Sequence, residues 1–110
     1  MAAKKLAPLH PGEVLLKEFI EPLDTSQNKL ALELKVPPRR INEIVLGKRG
    51  ISADTALRLA RHFGTSAEFW LGLQADYELE LARDQSEAKI AREVRIRAMT
   101  HSAAGQGVSP

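Results

Sequence analysis

Residues 27–46 read QNKLALELKVPPRRINEIVL, and the fold turns on how that stretch is divided. Leu30, Ala31 and Leu34 recur at helical spacing and put one apolar face on a short helix. Asp24, Thr25 and Ser26 stand just before it and are N-cap residue types. Pro37-Pro38 then interrupts the pattern. A proline disfavours helix at the residue before it, yet its fixed φ and missing N–H suit the first turn of a new helix. One helix therefore ends and another starts almost at once, running from about Pro38 to Leu46. Ile41, Ile44 and Val45 face inward, and Gly47 stands where a helix C-terminus favours glycine.

Working outward, Val14, Leu15, Leu16, Phe19 and Ile20 form an apolar stripe that predicts a first helix over Glu13 to Ile20. His10-Pro11-Gly12 breaks the chain ahead of it and Pro22 ends it. Ser52 caps a fourth helix, with Thr55 in place of the glutamate of a capping box. Its expected buried face is Ala56, Leu57, Leu59, Ala60 and Phe63, and Gly64 closes it. Ser66 caps a fifth helix that carries Phe69, Trp70, Leu71, Leu73 and Tyr77 and runs to about Arg83. Ser86 offers a restart, a sixth helix through Ile90 and Val94 towards Met99. No stretch alternates like a strand. The expectation is an all-α chain: a lead-in over 1–9, a compact five-helix domain over 10–84, a C-terminal helix over 85–99 and a disordered tail over 100–110.

Composition narrows the chemistry. The 110 residues suffice for one domain with a single core, and 44% of them are hydrophobic. Aromatic residues make up only 5%, so Leu, Ile, Val and Ala must supply the core. With no cysteine, disulfides and thiolate metal sites are excluded, which suits a reducing cytoplasm. No secretory signal and no membrane-length apolar run is present. His10, His62 and His101 lack ligand spacing, so no metal or other cofactor is expected. No phosphate loop, zinc-protease motif or cysteine nucleophile suggests an enzyme. The net charge of +2 is weak evidence for any partner, but its distribution is informative. Between Lys35 and Arg49, five cations (Lys35, Arg39, Arg40, Lys48, Arg49) face one carboxylate, Glu43. Between Asp76 and Glu87, five carboxylates (Asp76, Glu78, Glu80, Asp84, Glu87) face Arg83 alone.

Two short helices crossing through a tight turn form a helix-turn-helix, whose second helix enters the DNA major groove while the first crosses the backbone. Here Ala31 provides the small residue for close approach, and Leu30, Leu34, Val36, Ile41 and Ile44 clamp the pair. Pro38, Arg39, Arg40, Asn42 and Glu43 are left as base-reading candidates. Arginine donates in parallel to guanine O6 and N7, asparagine pairs with adenine, and glutamate accepts from cytosine N4. Ser26, Gln27 and Asn28, at a helix N-terminus, are phosphate candidates, as are Lys48 and Arg49. Lys35 stands in the turn where glycine is usual. A positive φ there costs a lysine roughly 1 kcal/mol, so a slightly altered turn is expected.

Five words of the sequence then carry a resemblance: His10-Pro11-Gly12-Glu13, the run Val36 to Ile44, Gly47-Lys48-Arg49, the run Ser52 to Ala60, and Phe69-Trp70-Leu71-Gly72-Leu73-Gln74. Over His10 to about Leu81 the chain resembles the HigA-type antitoxins, part of the XRE, phage-repressor-like helix-turn-helix family. The resemblance implies a homodimer on an inverted-repeat operator in double-stranded DNA, usually in the protein's own promoter. It also implies a HigB-type toxin partner, a ribosome-dependent mRNA endonuclease that the antitoxin neutralises. By the same analogy Gln27, Pro38, Arg39, Arg40 and Glu43 fall at DNA-contacting positions. Phe69, Trp70, Leu73, Tyr77 and Leu81 are the dimer-seam candidates on the fifth helix, and such a seam sets half-sites about 34 Å apart. Two alternatives stay open: a stand-alone regulator without a toxin, and an interaction module that sequesters a partner without binding DNA.

Overall fold

The computed structural model describes residues 7–99, so the expected tail over 100–110, His101 and residues 1–6 of the lead-in lie outside the described residues. Among the described residues there is no strand. The chain starts with α1 (Pro11–Val14), which passes directly into a π-helical stretch (Leu15–Ile20). It continues as α2 (Gln27–Leu34), α3 (Pro38–Val45), α4 (Ala53–Phe63) and α5 (Ala67–Glu93).

The first helix starts two residues before the expected Glu13. His10 Nδ1 accepts the Gly12 N–H at 2.9 Å and so serves as the N-cap, while Pro11 occupies the first turn, where its missing N–H goes unmissed. What reads in the sequence as a chain break is a helix start. Gly12 is buried, and a Cβ there would lie 1.8 Å from the Ile44 carbonyl oxygen. Glycine is therefore the residue that lets α1 rest directly on the backbone of α3.

Ser26 Oγ accepts from Lys29 N–H at 3.0 Å, Ser52 Oγ from Thr55 N–H at 3.3 Å and Ser66 Oγ from Phe69 N–H at 3.0 Å. The three expected serine caps thus satisfy backbone donors at the starts of α2, α4 and α5. Leu15, Leu30, Ala31, Leu34, Val36, Ile41, Ile44, Ile51, Ala56, Leu59 and Trp70 form the centre of the core. Leu57 does not join it. It is 63% exposed because it lies about a third of a turn from the face that Ala56, Leu59 and Phe63 share. Phe19 stacks against Phe63 at 4.8 Å and Trp70 at 5.0 Å between ring centres, and Trp70 Nε1 donates to Thr65 Oγ1 at 2.7 Å. The one tryptophan is thereby buried with its polar atom satisfied.

α5 runs unbroken past both expected limits, through Arg83 and Ser86 to Glu93. No glycine or proline lies between residues 73 and 93, and Glu, Ala, Leu, Arg and Lys dominate that stretch, so nothing stops the helix. It ends before Met99. Val94 is extended (φ −102°, ψ 118°), and the β-branched Val94 and Ile96 that follow are exposed, with no packing to offset their poorer helical propensity.

Candidate nucleic-acid interface

Lys35 adopts the left-handed conformation (φ 62°, ψ 43°) at the end of α2, so the turn keeps the geometry that glycine usually supplies and the expected alteration is absent. The reversal is held in place from several sides. Val36 N–H bonds to Ala31 O at 3.0 Å, buried Val36 anchors the turn, and Arg58 of α4 donates from Nη1 to Leu34 O at 3.0 Å. These contacts hold a lysine in a conformation that its Cβ disfavours.

With Ile41 and Ile44 of α3 fully buried, the opposite side of that helix is centred on Arg39 and Glu43 at roughly 3.6 residues per turn. Pro38 is exposed, while Arg40 and Asn42 flank the outward face and are half-buried. Arg39, Asn42 and Glu43 thus share the outward side of α3, with Pro38 and Arg40 at its two edges, and the five differ in freedom. Arg39 projects furthest, its side chain 83% exposed. Arg40 leans towards α4, where its Nη1 meets Asp54 Oδ2 at 3.1 Å. Asn42 Nδ2 donates to Gln27 Oε1 at 2.7 Å, joining the start of α2 to the middle of α3. Glu43 Oε2 accepts from Arg39 Nε at 2.8 Å, and its Oε1 accepts from Arg49 Nε at 2.9 Å and Nη2 at 2.8 Å.

These ion pairs set the electrostatics of the face. The Arg39 hydrogen bond, then that of Arg49, holds the Glu43 carboxyl below the usual carboxylate range, and Glu43 in turn raises Arg39. Asp54 is lowered in the same way, chiefly by its hydrogen bond from Arg58 and further by Arg40. Among the phosphate candidates, Ser26, Asn28 and Lys48 are exposed. Gln27 is half-buried against Asn42, and Arg49 folds back onto Glu43 through the turn that Gly47 makes at φ 78°. Asp54, which fixes Arg40, escaped sequence reasoning because it is distant in the chain. Gln74 escaped it too: its Oε1 accepts Ile51 N–H at 2.8 Å and braces the loop after α3.

The dimer-seam candidates need one correction and one addition. Trp70 has no exposed surface, so it belongs to the core and offers nothing to a second copy. Tyr77 packs edge-on against His10 with ring centres 4.7 Å apart, and Leu73 packs against the core. Leu81 is half-buried and Phe69 is 40% exposed. The exposed apolar stripe of α5 lies elsewhere. Leu79 and Ile90, each 50% exposed, flank Ala82 beside a shallow groove lined also by Arg83 and Glu87. Among the described residues, no cluster of His, Cys, Asp and Glu could hold a metal ion, and no helix is long and apolar enough to cross a membrane.

The helix-turn-helix family model matches residues 16–70. Virulence-associated protein I of Dichelobacter nodosus is 46% identical over 84 residues, covering 76% of this chain and 78% of that protein. Antitoxin HigA-1 of Vibrio cholerae is 32% identical over 94 residues, covering 84% of this chain and 89% of that protein. Among solved structures, the Pseudomonas aeruginosa antitoxin HigA with the higBA promoter superposes with a TM-score of 0.78 at 46% identity, over 80% of this chain and 96% of that one. The tight turn, the outward arginine face and these matches agree: the chain belongs to the helix-turn-helix family, within its HigA-type antitoxins.

Proposed function

We propose that this protein is a sequence-specific double-stranded DNA-binding repressor, the antitoxin of a HigBA-type module that represses its own operon and neutralises a ribosome-dependent mRNA endonuclease toxin. One observation carries the DNA reading: α3 presents Arg39, Asn42 and Glu43 on a single outward side with Arg40 at its edge, next to a turn held in helix-turn-helix geometry. The Pseudomonas aeruginosa HigA with its higBA promoter is the solved relative that supports carrying this reading over. Pro38 and Arg39 lead the base-reading set, with Asn42 held in place by Gln27. Exposed Ser26, Asn28, Lys48 and Arg49 would meet the phosphates beside it, and Arg40 sits at its rim. The working unit is a homodimer on an inverted repeat. We place the seam on the outer stripe of α5, with Leu79 and Ile90 in addition to Phe69. The chain acts in the cytoplasm and catalyses no reaction.

Titration of the purified chain onto its own promoter duplex and onto a scrambled duplex tests this. Sub-micromolar promoter binding that weakens steeply with salt is expected. Arg39→Ala costs about 1–3 kcal/mol on the promoter duplex if that residue reads a base. Equal affinity for both duplexes sinks the sequence-specific reading.

A further inference from the structure

On the outward face of α3, three guanidinium groups lie within reach of two carboxylates, and they are bound in different ways. Arg40 has one terminal nitrogen on Asp54. Arg49 uses Nε and Nη2, one whole edge of its guanidinium, on Glu43 Oε1. Arg39 meets Glu43 through Nε at 2.8 Å, and its Nη1 and Nη2 lie beyond that bond at the outer end of the side chain. Those two nitrogens form the planar fork that matches O6 and N7 of guanine. Of the three arginines, Arg39 is the most exposed, so its terminal fork is the one best placed to meet a base edge.

Glu43 holds two of these three arginines. Each of its oxygens already accepts from a guanidinium, and its side chain is only 23% exposed beneath the two arginines. A cytosine amino group would have to share acceptors that two cations hold. The carboxylate spans from one turn earlier on α3 to the loop beyond Gly47, and so holds two long, otherwise free side chains in a single arrangement. A side chain ordered before binding loses less freedom on binding. We infer that Glu43 reads no base but is the positioning residue that aims the terminal fork of Arg39 at guanine and turns Arg49 towards the phosphates. This inference rests on the DNA-binding reading above.

Selection from a pool of randomised double-stranded DNA, run with the native chain, Glu43→Gln and Arg39→Lys, tests it. Glutamine keeps the shape of Glu43 and removes the charge. Lysine keeps the charge of Arg39 and removes the fork. The native chain should enrich a symmetric motif with guanine at one fixed position of each half-site. Glu43→Gln should keep its melting temperature, since the ion pairs it loses are solvent-exposed. Its preference for that guanine should fall about tenfold, and Arg39→Lys should lose preference at the same base pair. Combining the two should add little further loss there. If Glu43→Gln changes preference at a base pair that Arg39→Lys leaves alone, Glu43 reads that base itself and the inference is overturned. An unchanged motif in Glu43→Gln overturns it equally. A native chain that enriches no sequence overturns the DNA-binding reading, a separate and recognisable failure.

Discussion

The helix-turn-helix segment and the far half of α5 are both helical, but for opposite reasons. α2 and α3 have eight residues each, well below the roughly 12–15 at which an isolated helix becomes marginal in water. They persist because Leu30, Ala31, Leu34, Ile41 and Ile44 are buried against one another, with α1 and α4 closing the sides. α5 has 27 residues, of which Trp70 alone is buried. Beyond Tyr77 it is supported by helix-forming composition and local ion pairs such as Arg83 with Glu80 and Glu87 at 4.0 Å, and Lys89 with Glu93 at 3.9 Å. Exposed pairs of that kind contribute little. One region is ordered by what it buries, the other by what it is made of. A long helix that keeps its shape while burying almost nothing is free to present a surface.

That contrast is open to measurement. Trp70→Ala should lower unfolding free energy by about 3–5 kcal/mol in denaturant titration, because the ring joins α5 to Phe19 and Phe63. A loss under about 1 kcal/mol would mean that α5 is not anchored where described. Gly12→Ala should cost about 1–3 kcal/mol by the same measurement, since its methyl group must displace backbone of α3. Lys35→Gly should stabilise by up to about 1 kcal/mol, by removing a Cβ from a left-handed residue. No gain would show that the neighbouring contacts remove the strain already. Leu79→Glu with Ile90→Glu should change the stability of the isolated chain by under about 0.5 kcal/mol. Sedimentation of that variant should nevertheless shift from dimer to monomer. Retained dimers would place the seam on another face.

The smallest effect concerns pH. Burial pushes the His10 imidazole below its ordinary value, and Nδ1 must be unprotonated to accept from Gly12. The folded state therefore favours the neutral ring. Its contribution is complete above the unfolded value of about 6.5 and is lost as pH falls through the lowered folded value. A slight decline in thermal stability between about pH 7 and 5 is expected for the native chain. His10→Asn keeps a side-chain cap that does not titrate and should show no such decline. Equal slopes in the two proteins would remove His10 as the cause.

The sequence was most readable where local chemistry decides. The double proline, the three capping serines and the glycines after α3 and α4 each mark a boundary that neighbouring residues alone enforce, and the structure keeps them. Reading failed where a local signal had two meanings. Pro11-Gly12 looked like a break, although His10 beside them suits entry to the first helix, and Ser86 looked like a start although nothing stopped the helix before it. The candidate face was readable as a set of residue types. Its bonding pattern was not. Arg40 finds Asp54 fourteen positions away, Asn42 finds Gln27 fifteen away, and Gln74 reaches Ile51 across twenty-three. Partnerships at that range exist only once α2, α3, α4 and α5 have packed.

Gly12 has a mechanical consequence. Where main chain presses on main chain, no rotamer is available to absorb a displacement. The first helix thus works as a stop behind α3, and sliding one along the other would drive peptide groups into each other. Accommodation to DNA of varying shape must come from the long arginine tips or from bending along the exposed shaft of α5, while α3 itself behaves as a fixed rail.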